Sequence, residues 1–244
     1  MSRPLFGPGA RAARSAPAAA VVAATVLAGA LACGGDAPTT PVETSPAYDP
    51  RGAFLDDFGQ LHLFLYHWPV GTTVRVYVDP SAAPAGSDLR SAVVDGASRW
   101  TASLRQHEVA VAVSTDPRDA DVVVHYGEAP RIVGSTSCEP ASTGGSGVTF
   151  ACPDFDAGAF EVLPLLSGAG GRVKMDVAVY HGGASSEAEF RRLVAHELGH
   201  VLGIGAHSES REDLMYGAPA VDAPSAADVK TLRYVLQQPA DVRL

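Results

Sequence analysis

Residues 186–216 run SEAEFRRLVAHELGHVLGIGAHSESREDLMY. Ser186 and Glu189 stand three apart, the spacing of a capping box, and predict the start of a helix. Phe190, Leu193, Val194, Leu198, Val201 and Leu202 follow with helical period and give that helix a face to bury. His196 and His200, four apart, project from one side of it, about 40° from each other. Two imidazoles so placed can reach one Zn2+ at about 2.0–2.1 Å. Glu197 lies too far round to share their direction, yet it can hydrogen-bond a water held by the metal and accept its proton. A bare HExxH also arises by chance, on helices whose histidines are only surface residues. Here Gly203 follows, a residue that tolerates the left-handed backbone angles of a sharp turn. His207 then returns as a third nitrogen, and Leu214-Met215-Tyr216 stands shortly after it.

His196, Glu197, His200, Gly203, His207, Ser208 and Met215, in that order, resemble the metzincin clan of zinc endopeptidases, and within it the matrixin-like proteins. The resemblance implies catalytic Zn2+ held by His196, His200 and His207, with Glu197 as the catalytic base and a polypeptide as substrate. It implies that Met215 forms a tight Met-turn beneath the metal, a role that differs little from that of a buried core methionine. Tyr216 directly follows Met215, as in matrixins, and is not expected to bind the metal. Structural Ca2+ or a second Zn2+ is common in matrixins, and no motif here locates either. No cysteine stands where a propeptide switch would place one. One departure matters. The usual pattern sets the third histidine three residues after the glycine, where this chain has Ala206, so His207 arrives one residue late. Either a wider turn through Gly203 and Gly205 absorbs the extra residue, or His207 misses and Glu209 or Asp213 supplies an oxygen ligand. The order of Ser208 and Met215 behind it favours His207.

Outward from this segment, Val74, Val76 and Val78 alternate with polar neighbours, the period of a half-buried strand. Leu89, Val93, Ala97, Trp100 and Leu104 mark one face of a long helix that Ser87 or Asp88 can cap. Val109, Val111 and Val113 alternate again, and Val122-Val123-Val124 reads as a strand buried on both faces. Residues 127–171 are rich in Gly, Pro and Ser, with weak strand signals near Val148–Ala151; Val173 to Val179 then alternate. Ser225 and Asp228 cap a last helix carrying Val229, Leu232, Val235 and Leu236. This order predicts an α+β fold: a metzincin-like catalytic domain with a twisted mixed sheet, a long N-terminal helix, an active-site helix and a C-terminal helix. His62, His67, His107, His125 and His181 show no metal spacing and are expected in surface or core roles. Asp154 and Asp156 lack the full spacing of a Ca2+ loop and are expected in a polar loop.

Residues 1–32 have the form of a signal peptide, with Arg3, Arg11 and Arg14 ahead of an apolar run from Ala18 to Ala32. That run is shorter than the ~20 residues of a bilayer span. Gly29 to Gly35 resembles a lipobox in which Cys33 is lipidated, although Ala30 stands where leucine is usual; ordinary signal cleavage before Cys33 fits the same residues. The protein is therefore expected to be exported, to the cell envelope or the extracellular space, and held at a membrane through a lipid on Cys33. Residues 33–50 are expected as a flexible tether, with an ordered arm as the alternative, and residues 51–244 as the metallopeptidase domain. Cys138 and Cys152 are expected to pair as a disulfide in an oxidising compartment, since no CxxC spacing supports metal binding. The net charge of −9 becomes −12 without the signal segment, because three of the 18 basic residues and no acid precede Cys33. Such a surface excludes nucleic acid as a partner, and the protein is expected to be a monomer. Two other function classes share the motif: a non-catalytic envelope lipoprotein that keeps the zinc helix as a binding element, and a zinc hydrolase of a non-protein amide.

Overall fold

A strand over Thr72–Asp79 forms from the Val74–Val76–Val78 alternation, and the main sheet is built around it. A computed structural model describes residues 42–55, 61–81, 83, 87–105, 108–127, 147–151, 153–154, 161–162, 174–179 and 186–244. The expected signal segment, Cys33, His107, Cys138, Cys152, Asp156 and His181 lie outside them. In chain order the described elements are β1 (Gly52–Leu55), β2 (Leu61–Phe64), β3 (Tyr66–His67), β4 (Thr72–Asp79), α1 (Leu89–Ser103), β5 (Val109–Ser114) and β6 (Val122–Tyr126). There follow β7 (Gly147–Ala151), β8 (Pro153–Asp154), β9 (Glu161–Val162), β10 (Met175–Val179), α2 (Glu187–Leu202), α3 (Ala226–Gln237) and β11 (Val242–Arg243).

The main sheet runs β5-β4-β6-β10-β7. β4 pairs in parallel with both β5 and β6, β10 in parallel with β6, and β7 closes the edge antiparallel to β10. The sheet is therefore mixed, and the expected α+β architecture is the one found. Val74, Val76, Val78, Val122, Val124, Met175, Val177 and Val179 face one core with Trp100 of α1 and Phe190, Val194 and Leu198 of α2. The ring of Tyr126 stacks on Phe190 at 5.4 Å, which fixes the start of α2 against the sheet. Trp100 and Phe190 are wholly buried, and truncating such a side chain to alanine typically costs about 3–5 kcal/mol. The run at Val122 is buried on both faces, as its unbroken apolar character predicts. On the far face His125 Nδ1 lies 3.0 Å from Asp176 Oδ1, a buried core role for that histidine.

The smaller strands escape a periodic signal because they are two residues long. β3, β11, β9 and β8 form a second sheet in that order, and β1 with β2 makes an antiparallel hairpin. Residues 42–50, the described part of the stretch expected as a tether, hydrogen-bond to α3. Glu43 N–H donates to Gln237 Oε1 at 2.8 Å and Ala47 N–H to Thr231 Oγ1 at 3.1 Å, both on α3. Bonds across more than 180 positions of sequence leave no trace in local composition, which is why this stretch resembles a linker.

Candidate metal centre

Helix α2 begins where Ser186 Oγ accepts the Glu189 N–H at 3.2 Å, and Glu187 and Glu189 place negative charge at the positive end of the helix dipole. It ends at Gly203, whose φ of 130° is open to glycine and strained for other residues. The turn is tied by Gly203 N–H to His200 O and Ile204 N–H to Gly199 O, each 3.1 Å. Two aromatic side chains also donate to carbonyls of this last turn: Tyr66 O–H to His200 O at 2.6 Å, and Trp68 Nε1–H to Val201 O at 2.8 Å. Trp100 Nε1–H donates to Ala195 O at 2.8 Å from the other side. The helix is thus held at the positions that flank its two histidines.

His196, His200 and His207 come together. Their nearest ring nitrogens are Nε2 to Nε2, 3.1 Å for His196 with His200 and 3.3 Å for His200 with His207. The opposite nitrogens of the first two face backbone carbonyls: His196 Nδ1 lies 2.7 Å from Leu214 O and His200 Nδ1 2.6 Å from Ile204 O. A carbonyl only accepts, so each Nδ1 carries the proton and each Nε2 presents a lone pair. Lone pairs converging this closely repel one another unless a cation lies among them. A tetrahedral ion with bonds of 2.0–2.1 Å has ligand edges of about 3.3–3.4 Å, close to the two separations observed, so the residues fit a bound Zn2+. Burial pushes the His196 pKa down to about 4, His200 well below its ordinary value and His207 in the same direction. All three rings are neutral near pH 7, the form a metal requires.

The late arrival of His207 is therefore absorbed by the turn. Neither oxygen alternative joins the cluster: among the described residues it consists of the three histidines, all candidate ligand atoms lying within 4.8 Å of one another. Asp213 is buried with its oxygens engaged by the hydroxyls of Ser208 and Ser225, and Glu209 is exposed. Met215 is fully buried in a turn closed by Tyr216 N–H to Asp213 O at 3.2 Å and Ser208 N–H to Met215 O at 2.8 Å. Its sulfur lies against Gly199. A Cβ on Gly199 would fall 2.7 Å from the Trp100 ring and closer still to that sulfur, so only glycine leaves room there. Glu197 is buried beside the ligands, and its charge, after burial itself, pushes the Tyr66 phenol pKa up.

Sequence patterns missed several of these residues. Gly199 sits inside the motif without a ligand's signature. Asp228 reads as a helix cap, and it does bond the Ser225 N–H at 2.8 Å, but the same carboxylate also accepts Leu214 N–H at 2.8 Å and Met215 N–H at 3.4 Å. Tyr66 lies on a strand too short to show a period, and Trp68 follows just beyond its end. The one available signal was the polar handle each aromatic carries, which must find a partner once buried.

Neutral nitrogens held open to a cation, two of them on a helix that also buries a glutamate, define a candidate zinc centre. The matrixin family model matches residues 81–231, more than half of the chain, and the protein belongs to that family. No curated protein matches the chain. Among solved structures it is similar to metalloproteinase-II from Bacteroides fragilis, at 13% identity and a TM-score of 0.35, over 78% of this chain and 59% of that one. The chain thus spans under two thirds of that protein.

Proposed function

We propose that the protein is an exported zinc-dependent endopeptidase. The convergence of three Nε2 nitrogens, with separations of 3.1 and 3.3 Å, beside a buried glutamate, carries this reading. Bound there, Zn2+ would polarise the scissile carbonyl and acidify the attacking water. Glu197 takes a proton from that water on a carboxylate oxygen and later delivers it to the leaving amine. An extended polypeptide adds to the sheet at β7, the antiparallel edge strand packed near α2, and its backbone amides bond to the strand. Strand addition suits a peptide chain better than a small amide, and this favours a protein substrate. The signal segment and Cys33 would deliver the enzyme to the envelope and anchor it there, and Cys138 and Cys152 would pair after export.

The test is metal analysis joined to a casein digest. One zinc per chain, with digestion abolished by a chelator and restored by Zn2+, is the expected result. Stoichiometric zinc without cleavage of casein or a peptide library would leave a binding protein in its place. Labelling with a radioactive fatty acid tests the anchor separately: the label is expected on the parent and absent from Cys33→Ser.

A further inference from the structure

Residues 42–50 contain no helix or strand, yet they reach the metal centre at two points. The first is Tyr48. Its O–H donates to Asp228 Oδ1 at 2.7 Å, and Asp228 is wholly buried. The other oxygen, Oδ2, is used by Ser225 N–H and Leu214 N–H, both at 2.8 Å. Leu214 continues the chain, since its carbonyl holds His196 Nδ1 at 2.7 Å. Three short hydrogen bonds therefore run from the arm to the first histidine, through one carboxylate and the backbone of one residue. The second point is Pro50, whose carbonyl accepts Gly205 N–H at 2.8 Å within the turn that carries the chain from Gly203 to His207.

We propose that Tyr48 is a positioning residue of the metal centre, and that residues 42–50 brace the backbone behind His196 and His207. The inference rests on reading the histidine cluster as a metal centre. A buried carboxylate needs its lone pairs met by donors. Without the phenol, Oδ1 retains only the Met215 N–H at 3.4 Å, too long for a full bond. The carboxylate then turns toward that amide or admits water, and in either case Leu214 moves. Ligand edges of 3.1 and 3.3 Å leave little tolerance for a shift of the His196 ring. Burial and the facing Asp228 hold the phenol pKa far above its ordinary value, so Tyr48 stays a donor at all working pH values.

The experiment uses the full chain, stripped of metal and titrated with Zn2+ against a chromophoric chelator, and in parallel with Co2+ followed by its visible spectrum. Tyr48→Phe is expected to weaken zinc about tenfold, the low end of what outer-shell partners contribute, and to shift the Co2+ bands. Thr231→Val removes the acceptor of Ala47 N–H and a hydroxyl partner of Tyr48, and should act in the same direction more weakly. Arg233→Met breaks the 2.9 Å pair with Glu108 elsewhere on α3 and should lower the melting temperature with zinc affinity unchanged. That separates positioning from loss of stability, because affinity is read on the folded protein. Parent-like zinc affinity and Co2+ spectrum in Tyr48→Phe would overturn the proposal. If that variant does not fold, parent-like values in Thr231→Val would do the same. A parent chain that takes up no zinc would overturn the metal-centre reading itself.

Discussion

Helices α1 and α2 are of nearly equal length, 15 and 16 residues, and pack against each other, yet they bury faces of opposite chemistry. The face of α1 consists of Leu89, Ala92, Val93, Gly96, Ala97 and Trp100, with no titratable group among them. That of α2 includes His196, Glu197 and His200. Burying ionisable groups opposes folding unless a partner compensates. The apolar face of α1 and the valines of the sheet stabilise the domain by removing apolar area from water. That stability is what lets α2 carry groups that folding alone would reject. Trp100 joins the two roles, filling the core from α1 while its Nε1–H braces Ala195 O next to His196.

If the polar face of α2 is there for chemistry, Glu197→Ala should bind zinc like the parent and lose activity by about 10²–10⁴-fold, mostly in kcat. Zinc analysis and peptide kinetics on one preparation decide it, and full activity would remove Glu197 from its role.

The second expected effect is on stability and arises on α2 but not on α1. His196 has a folded pKa of about 4, held down by burial, against an ordinary 6.5. Between these values the unfolded chain binds a proton that the folded chain does not, so stability falls as pH drops. The contribution is whole above pH ~6.5, declines through the window and levels off below pH ~4. For a shift of this size the loss is about 3 kcal/mol in the metal-free protein. Melting curves of metal-free protein from pH 7.5 to 3.5 should show this slope, and bound zinc should delay it to lower pH by competing with protons. A flat profile would mean that His196 is not buried as a neutral ring.

A pair of glycines sharpens the contrast further. A Cβ on Gly96 of α1 would stand 3.0 Å from Ala195 Cα and 3.0 Å from Leu198 Cδ1, whereas one on Gly199 meets Trp100 and the Met215 sulfur. Gly96→Ala and Gly199→Ala should each destabilise the fold by about 1–3 kcal/mol through overpacking. Only Gly199→Ala should also weaken zinc. An effect of the same order is expected from Trp100→Phe, which leaves a cavity where part of the indole stood and loses the hydrogen bond to Ala195 O, and should cost about 1–3 kcal/mol in denaturant melts, with zinc content unchanged.

The parts of the molecule that were legible in sequence are those that repeat locally. The alternating valines marked β4, β5 and β10, the stripe through Trp100 marked α1, and the interval between His196 and His200 marked the ligand pair, because each signal lies within a few turns or pleats of backbone. His207 was legible in kind although one residue out of step. Its approach depends on how Gly203 and the following residues shape the turn, and spacing alone left Glu209 and Asp213 open. The brace from Tyr48 and Pro50, the double use of Asp228 and the aromatic caps from Tyr66 and Trp68 join residues far apart in the chain. Each of these residues obeys a bland local rule (linker, helix cap, short strand), and only the fold brings out its second partner.

The convergence of three imidazoles on one ion is tested most directly by equilibrium zinc titration of the parent and of His207→Ala, the ligand whose position departs from the usual spacing. One equivalent bound by the parent, and affinity lower by more than about a hundredfold in the variant, is the predicted outcome. Equal affinity in the two proteins would contradict it, since two histidines of α2 would then be holding the metal without the third.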